Sequence, residues 1–210
     1  MKVIDEIGIK FDRPFSGMVG AKCGVGKTNL LVVLTNEILN KGKSVLFVSS
    51  DEPERSLYSK FSKVVNRADM IAKNCSLAIV NSQEPIKKIE KILSELKFDV
   101  VVLDCYDVKL EDIRKLKLDG VSVLITQQLS MNFENQLGYF IEYPFSNVNR
   151  VFESDFAIVL SNNFKLNFIE KIKWFFKGKK PNINLNVIKN RFGNEFNHKI
   201  FLNHENLSIL

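Results

Sequence analysis

The chain has 210 residues, 45% of them hydrophobic and 26% charged, and its 30 Lys and Arg against 24 Asp and Glu give a net charge of +6. This composition is that of a soluble globular protein with a full core, and it excludes disordered, collagen-like and coiled-coil architectures. Its apolar runs, such as Val100–Leu103 and Val121–Ile125, fall far short of the ~20 residues of a membrane span, and no apolar stretch follows Met1 as in a secretory signal.

The three cysteines, Cys23, Cys75 and Cys105, are too few and too widely spaced for a disulfide framework or a zinc site. They read as reduced thiols of a cytoplasmic protein with no membrane partner. The basic balance suits a polyanionic partner. No repeat, low-complexity tract or Pro/Gly/Ser-rich linker interrupts the chain, so residues 1–210 are expected to form one domain.

In chain order, Ser16–Ala21 reads as a short apolar strand leading into a glycine-rich turn, Lys22–Gly26. Lys27–Asn40 carries Leu30, Leu31, Leu34 and Ile38 at helical spacing and stops at Lys41-Gly42. Val45–Val48 is a buried-strand run, and Glu54–Val65 is predicted as one helix. Leu77–Val80 is a strand and Pro85–Leu96 an amphipathic helix with proline near its start. Val100–Leu103 and Val121–Thr126 are continuous apolar runs, as parallel strands covered on both faces must be, with a helix over Leu110–Leu118 between them. Phe156–Leu160 is a further core strand. Ile183–Ile188 and His198–Leu202 form a closing hairpin around Arg191-Phe192-Gly193-Asn194. Alternating strands and helices predict an α/β fold whose mainly parallel sheet ends in antiparallel strands.

The strongest motif is Ala21-Lys22-Cys23-Gly24-Val25-Gly26-Lys27-Thr28, a P-loop in which Ala21 replaces the first glycine of G-x-x-x-x-G-K-[ST]. Glycine at 24 and 26 lets successive backbone N–H groups curl around a phosphate. Lys27 is placed to reach the β- and γ-phosphates, the Thr28 hydroxyl is a ligand for Mg²⁺, and the following helix directs its N-terminus at the anion. Lys22, Cys23, Gly24, Val25, Gly26, Lys27, Thr28 and Asn29 are therefore the predicted ATP-binding segment. Asp104, ending the strand at 100–103, fits the acidic residue that holds Mg²⁺ beside such a loop. Asp51 and Glu52 follow the strand at 45–48 and are candidate general bases for the attacking water.

Together these residues resemble the RecA-like ATPases, and in particular the motor domain of DnaB-type replicative helicases. Gly20-Ala21-Lys22-x-Gly24-x-Gly26-Lys27-Thr28 is similar to that family's loop, alanine included. Val45 to Pro53 resembles its strand and Ser-Leu-Glu-Met turn, which puts Asp51 on the catalytic Glu with Glu52 one residue away. Val100 to Asp104 resembles its Walker B strand, with Cys105-Tyr106 where a tyrosine is common. Leu124 to Leu129 resembles the strand that ends in a γ-phosphate-sensing glutamine, with Gln127 and Gln128 both eligible. Phe152 to Leu160 looks like the strand after the DNA-facing loop. Val187 to Gly193 is similar to the Lys-x-Arg-x-Gly segment, whose lysine and arginine, here Lys189 and Arg191, reach into a neighbouring subunit's nucleotide site.

The resemblance implies a Mg²⁺-dependent ATPase of DNA replication or recombination that assembles into a ring or filament, engages single-stranded DNA and meets replication partner proteins. Its compact form suits a phage or mobile-element protein. By the same analogy the loop from Ser130 to Arg150 is the DNA candidate. The basic, aromatic segment Ile169–Lys180 is a second DNA candidate, its lysines suited to phosphates and its aromatics to stacking on bases. The preferred reading of the aromatics is a helix face that docks on the core or on a neighbouring subunit. Two other readings share the loop. Lys22-Cys23-Gly24-Val25-Gly26-Lys27-Thr28 is one position from the loop of ParA/MinD partition ATPases, with Lys22 as the signature lysine. A nucleotide-switched loader without motor activity fits as well.

Overall fold

A computed structural model describes residues 2–104, 109–129, 154–162, 166, 168–203 and 205–209. Its strands are β1 (Ser16–Ala21), β2 (Val45–Ser49), β3 (Leu77–Asn81), β4 (Val100–Asp104), β5 (Ser122–Gln128), β6 (Phe156–Ser161), β7 (Ile183–Asn190) and β8 (Phe196–Ile200). Its helices are α1 (Val3–Ile7), α2 (Lys27–Asn40), α3 (Glu54–Phe61), α4 (Arg67–Ala72), α5 (Pro85–Glu95), α6 (Leu110–Leu118) and α7 (Phe168–Phe176). The strands form one eight-stranded sheet in the order β3-β2-β4-β5-β1-β6-β7-β8. The first six pair in parallel, and β7 and β8 close the sheet antiparallel, as the sequence predicts.

Both faces of the sheet are covered, which is why β1, β2, β4 and β6 are buried at every position. On one face α2 lies against Val19, Phe47, Val102 and Leu124; on the other Met18, Val48, Val101 and Ile125 share a second cluster with residues of α5 and α6. Helix α2 is buried almost all round, Val32 and Val33 included, because α1 and α3 pack over it in turn. At Gly17 a Cβ would come within 2.2 Å of the Phe156 ring and 2.6 Å of Leu124, so the close approach of β1 to its neighbours requires glycine.

Three local features depart from the periodicity. Helix α1 has no side-chain cap of its own; Glu37 of α2 accepts hydrogen bonds from the Val3 and Ile4 N–H groups at 3.1 and 2.7 Å, so tertiary contact creates the helix. The helix expected to reach Val65 stops at Phe61, and α4 begins afresh where the Asn66 side chain accepts from Ala68 N–H at 3.0 Å. Strand β7 carries a bulge at Ile188, because Ile158 faces Val187 while Ala157 faces Lys189.

The edge of the sheet where the parallel strands begin is tied together by Asp155. Its carboxylate accepts from Ser16 N–H at 2.8 Å, and it pairs with Lys117 at 2.8 Å and with the Arg191 guanidinium at 3.4 Å. Burial by itself raises this carboxyl, but the Lys117 and Ser16 donors and the Arg191 charge outweigh it and hold it below the ordinary carboxylate range. A depressed folded-state value stabilises the fold above the unfolded pKa of about 3.9, and that contribution is lost as pH falls through the folded value. Asp155→Asn is therefore expected to cost on the order of 1–3 kcal/mol at neutral pH. The gap from wild type should close below about pH 4. Denaturant titrations of both proteins across that range measure it, and a gap independent of pH would contradict the assignment.

Candidate phosphate and metal site

Strand β1 runs into the loop at residues 22–26, and α2 begins at Lys27. The turn is possible because Gly24 and Gly26 hold φ of +76° and +113°, a region that side chains with a Cβ rarely enter. Around Gly24 there is nothing within 4 Å of a built Cβ, so glycine is needed there for its backbone freedom rather than for space. Val25 anchors the loop in the core, while Cys23 stays exposed and Lys22 and Asn29 are partly covered. Lys27 is only 7% exposed, and its ammonium lies over the loop, donating to the carbonyls of Ala21 and Lys22 at 3.3 Å. Leu129 N–H donates to the same Ala21 carbonyl at 3.0 Å and ties the end of β5 to the loop.

In the first turn of α2, directly after Lys27, Thr28 Oγ1 donates to Asp104 Oδ2 at 2.7 Å. Asp104 has no exposed surface, and its other oxygen accepts from Thr126 Oγ1 at 3.3 Å. A hydroxyl and a carboxylate in contact, both hard oxygen donors, match what Mg²⁺ takes from a protein beside a phosphate. The residues therefore fit Mg²⁺, with Thr28 and Asp104 as the groups that would hold it. Thr126 is a participant that the sequence reading missed. Its signal is a hydroxyl closing the apolar run Val121–Ile125.

The end of β2 lies beside Asp104, for Ser49 is its register partner. The two carboxylates beyond that strand end differ. Glu52 sits 24% exposed against α3, where Ser56 donates to it at 3.2 Å and the Lys60 ammonium pairs with it. Asp51 is exposed and accepts from the Ser50 hydroxyl at 3.0 Å. On β5, Gln127 and Gln128 face Gly20 and Ala21 across the sheet. Strand alternation puts Gln128 on the same face as Thr126 and Asp104, toward α2, and Gln127 on the opposite one.

Lys189 and Arg191 lie elsewhere. Because β7 runs antiparallel to β6, its last residue, Asn190, pairs with Phe156, the first of β6, while Leu160 at the far end pairs with Ala21 of the loop strand. Four residue steps of about 3.3 Å separate the two levels, roughly 13 Å along the strand. Arg191 follows the strand, and its N–H donates to the Asp155 carbonyl at 2.8 Å. The two basic residues and the phosphate loop thus occupy opposite edges of the sheet. Strand β7 is second from the sheet's border, with β8 outside it. Cys105, Tyr106, the loop from Ser130 to Arg150, Phe152 and Glu153 lie outside the described residues.

No protein-family model matches the sequence, and no curated protein matches it. In three dimensions the chain is similar to a solved ATPase domain, with a TM-score of 0.62 and 11% identity over 94% of this chain and 84% of that one. It is similar also to a DnaB-like replicative helicase whose structure was solved together with its interactions with primase, with a TM-score of 0.62 and 13% identity over 94% of this chain. The match spans 57% of that helicase's length. The eight-stranded sheet and the strand-loop-helix at its centre thus share the RecA-like fold of these two solved structures.

Proposed function

We propose that residues 1–210 form one RecA-like unit that hydrolyses ATP with Mg²⁺ at the interface between copies and acts on single-stranded DNA in replication or recombination. The observation that carries this reading is the 2.7 Å contact of Thr28 with the buried Asp104 beneath the glycine loop and Lys27. The likeness in fold to helicase ATPase domains supports the motor class, and the basic net charge of +6 suits a nucleic-acid partner. A DnaB-like neighbour in fold that interacts with primase makes replication proteins the class of partner to test.

In this reading the N–H groups of the loop and the Lys27 ammonium bind the phosphates and carry charge as the terminal phosphoryl group leaves. Thr28 and Asp104 hold Mg²⁺, which when bound neutralises phosphate oxygens. Asp51 is the preferred base, because its carboxylate is exposed whereas that of Glu52 is engaged by Lys60 and Ser56. It accepts the proton of the attacking water. Gln128, on the face of Asp104, orients that water or senses the terminal phosphate. Lys189 and Arg191 cannot serve the loop of their own chain from the opposite edge, so they serve a neighbour's, in a head-to-tail arrangement.

Lys27→Ala is expected to lower ATP turnover by at least ~10²-fold, since a charge on the transferring group is lost. Asp51→Asn should cost ~10²–10⁴-fold while nucleotide binding persists, with Glu52→Gln changing the rate by less than about tenfold. Steady-state phosphate release checks all three, and an Asp51→Asn protein with wild-type turnover would move the base elsewhere.

Arg191→Ala should bind ATP normally and lose turnover by ~10³-fold or more. Mixing it with Lys27→Ala should restore part of the activity, because some interfaces then join an intact loop to an intact arginine. A fully active Arg191→Ala protein, or a mixture as inactive as its parts, would remove the shared site.

A further inference from the structure

Helix α7 carries a stripe of apolar side chains that the described residues leave uncovered. Phe168, Ile169, Ile172, Phe175 and Phe176 are 76%, 76%, 43%, 81% and 84% exposed. They recur at i, i+1, i+4, i+7 and i+8, so they share about a third of the helix circumference. The expectation that the aromatic face docks on the core holds only for Trp174, which is 5% exposed and points the other way. Glu170 fixes the same inner side by pairing with Lys199 of β8 at 2.7 Å. The stripe is bordered by Lys171 on one flank and Lys173 on the other, and Lys177, Lys179 and Lys180 follow. From 168 to 180 there are five lysines against one glutamate, a net +4. An apolar patch of this kind marks an interaction site.

An apolar groove of opposite net charge lies at the other edge of the sheet. Between α5 and α6, where β4 and β5 begin, a groove of about 840 Å³ has Ile89, Phe98, Leu116 and Val121 in its floor. Its charged lining is Glu90, Asp99, Asp112 and Asp119 against Lys97 and Lys115, four carboxylates to two ammonium groups and a net −2. Helix α7, by contrast, belongs to the connection from Ser161 to Ile183, at the same edge as the phosphate loop. The helix and the groove therefore stand at the two edges that carry the loop and Arg191.

We propose that α7 of one copy seats its apolar face in the α5–α6 groove of the next, with Lys171 and Lys173 over the Asp112 and Asp119 carboxylates. The two surfaces differ, so the contact is heterologous and repeats from copy to copy, closing into a ring or running on as a filament. This rests on the head-to-tail assembly proposed above and adds the surface that holds it.

The test is sedimentation velocity of the full chain with Mg·ATP over a range of concentrations. Ile172→Asp with Phe175→Asp should require at least ~10-fold more protein to assemble while the melting temperature stays unchanged, because both positions are exposed. Lys171→Glu with Lys173→Glu should weaken assembly, as should Asp112→Lys with Asp119→Lys, and the combined reversal should recover it. Wild-type assembly in the α7 variants, no recovery in the combined reversal, or a wild-type chain that stays monomeric would each overturn the contact. So would vesicles containing phosphatidylserine that bind wild type but not the Asp variants while assembly is unaffected, since a lipid surface would then be the occupant. The shared nucleotide site fails separately. Unaltered assembly in the α7 variants with activity restored on mixing Arg191→Ala and Lys27→Ala sinks only the contact, and impaired assembly without restoration sinks only the shared site.

Discussion

The Asp104 carboxylate has no exposed surface, and a buried carboxylate is tolerated only when donors hold its oxygens. Thr28 and Thr126 supply them, at 2.7 and 3.3 Å. That requirement fixes much else. Thr28 reaches Asp104 only if α2 starts directly after the loop, which needs the positive φ of Gly24 and Gly26. Thr126 reaches it only if β4 and β5 are neighbours in register, which places the glutamines at the end of β5 beside the loop strand. The same pairs that satisfy a buried charge thereby bring together, beneath the glycine loop, the hard oxygen donors that the proposed Mg²⁺ site requires.

The sheet also has a polarity that sorts the candidate site residues. The edge where the parallel strands end carries the loop, Asp104, Asp51 and Gln128, together with α7. The edge where they begin carries the Asp155 network with Arg191 and the groove between α5 and α6. The proposed head-to-tail contact would join these two ends, copy to copy. Asp155 links the fold to the proposed shared site, since the carboxylate that anchors the start of β1 also receives the Arg191 guanidinium.

Much of this is legible in the residues. Strands covered on both faces must be apolar throughout, so β2, β4 and β6 stand out as runs, and Lys27–Asn40 matches α2 from end to end. What stays hidden depends on partners distant in sequence. Helix α1 exists because Glu37, more than thirty residues on, satisfies its first N–H groups. The bulge at Ile188 is defined only against β6. Which of Gln127 and Gln128 lies on the face of Asp104 needs the register of β5 against β1 and the side on which α2 lies. The break between α3 and α4 is different, for Asn66 is a good N-cap residue directly after the stretch whose spacing predicts one helix. On α7 the spacing separates Trp174 from Phe168, Ile172 and Phe175, but only the structure shows which side is covered.

The central claim is that Thr28 and Asp104 hold Mg²⁺ beside a nucleotide bound by the loop. Calorimetric titration of a slowly hydrolysed ATP analogue into the full chain, with Mg²⁺ and with chelator, tests it most directly. The account predicts one site per chain, bound at least roughly tenfold more tightly with Mg²⁺ in wild type, and a loss of that difference in Asp104→Asn. Equal affinity with and without Mg²⁺ in wild type, or no binding of the analogue, would contradict it.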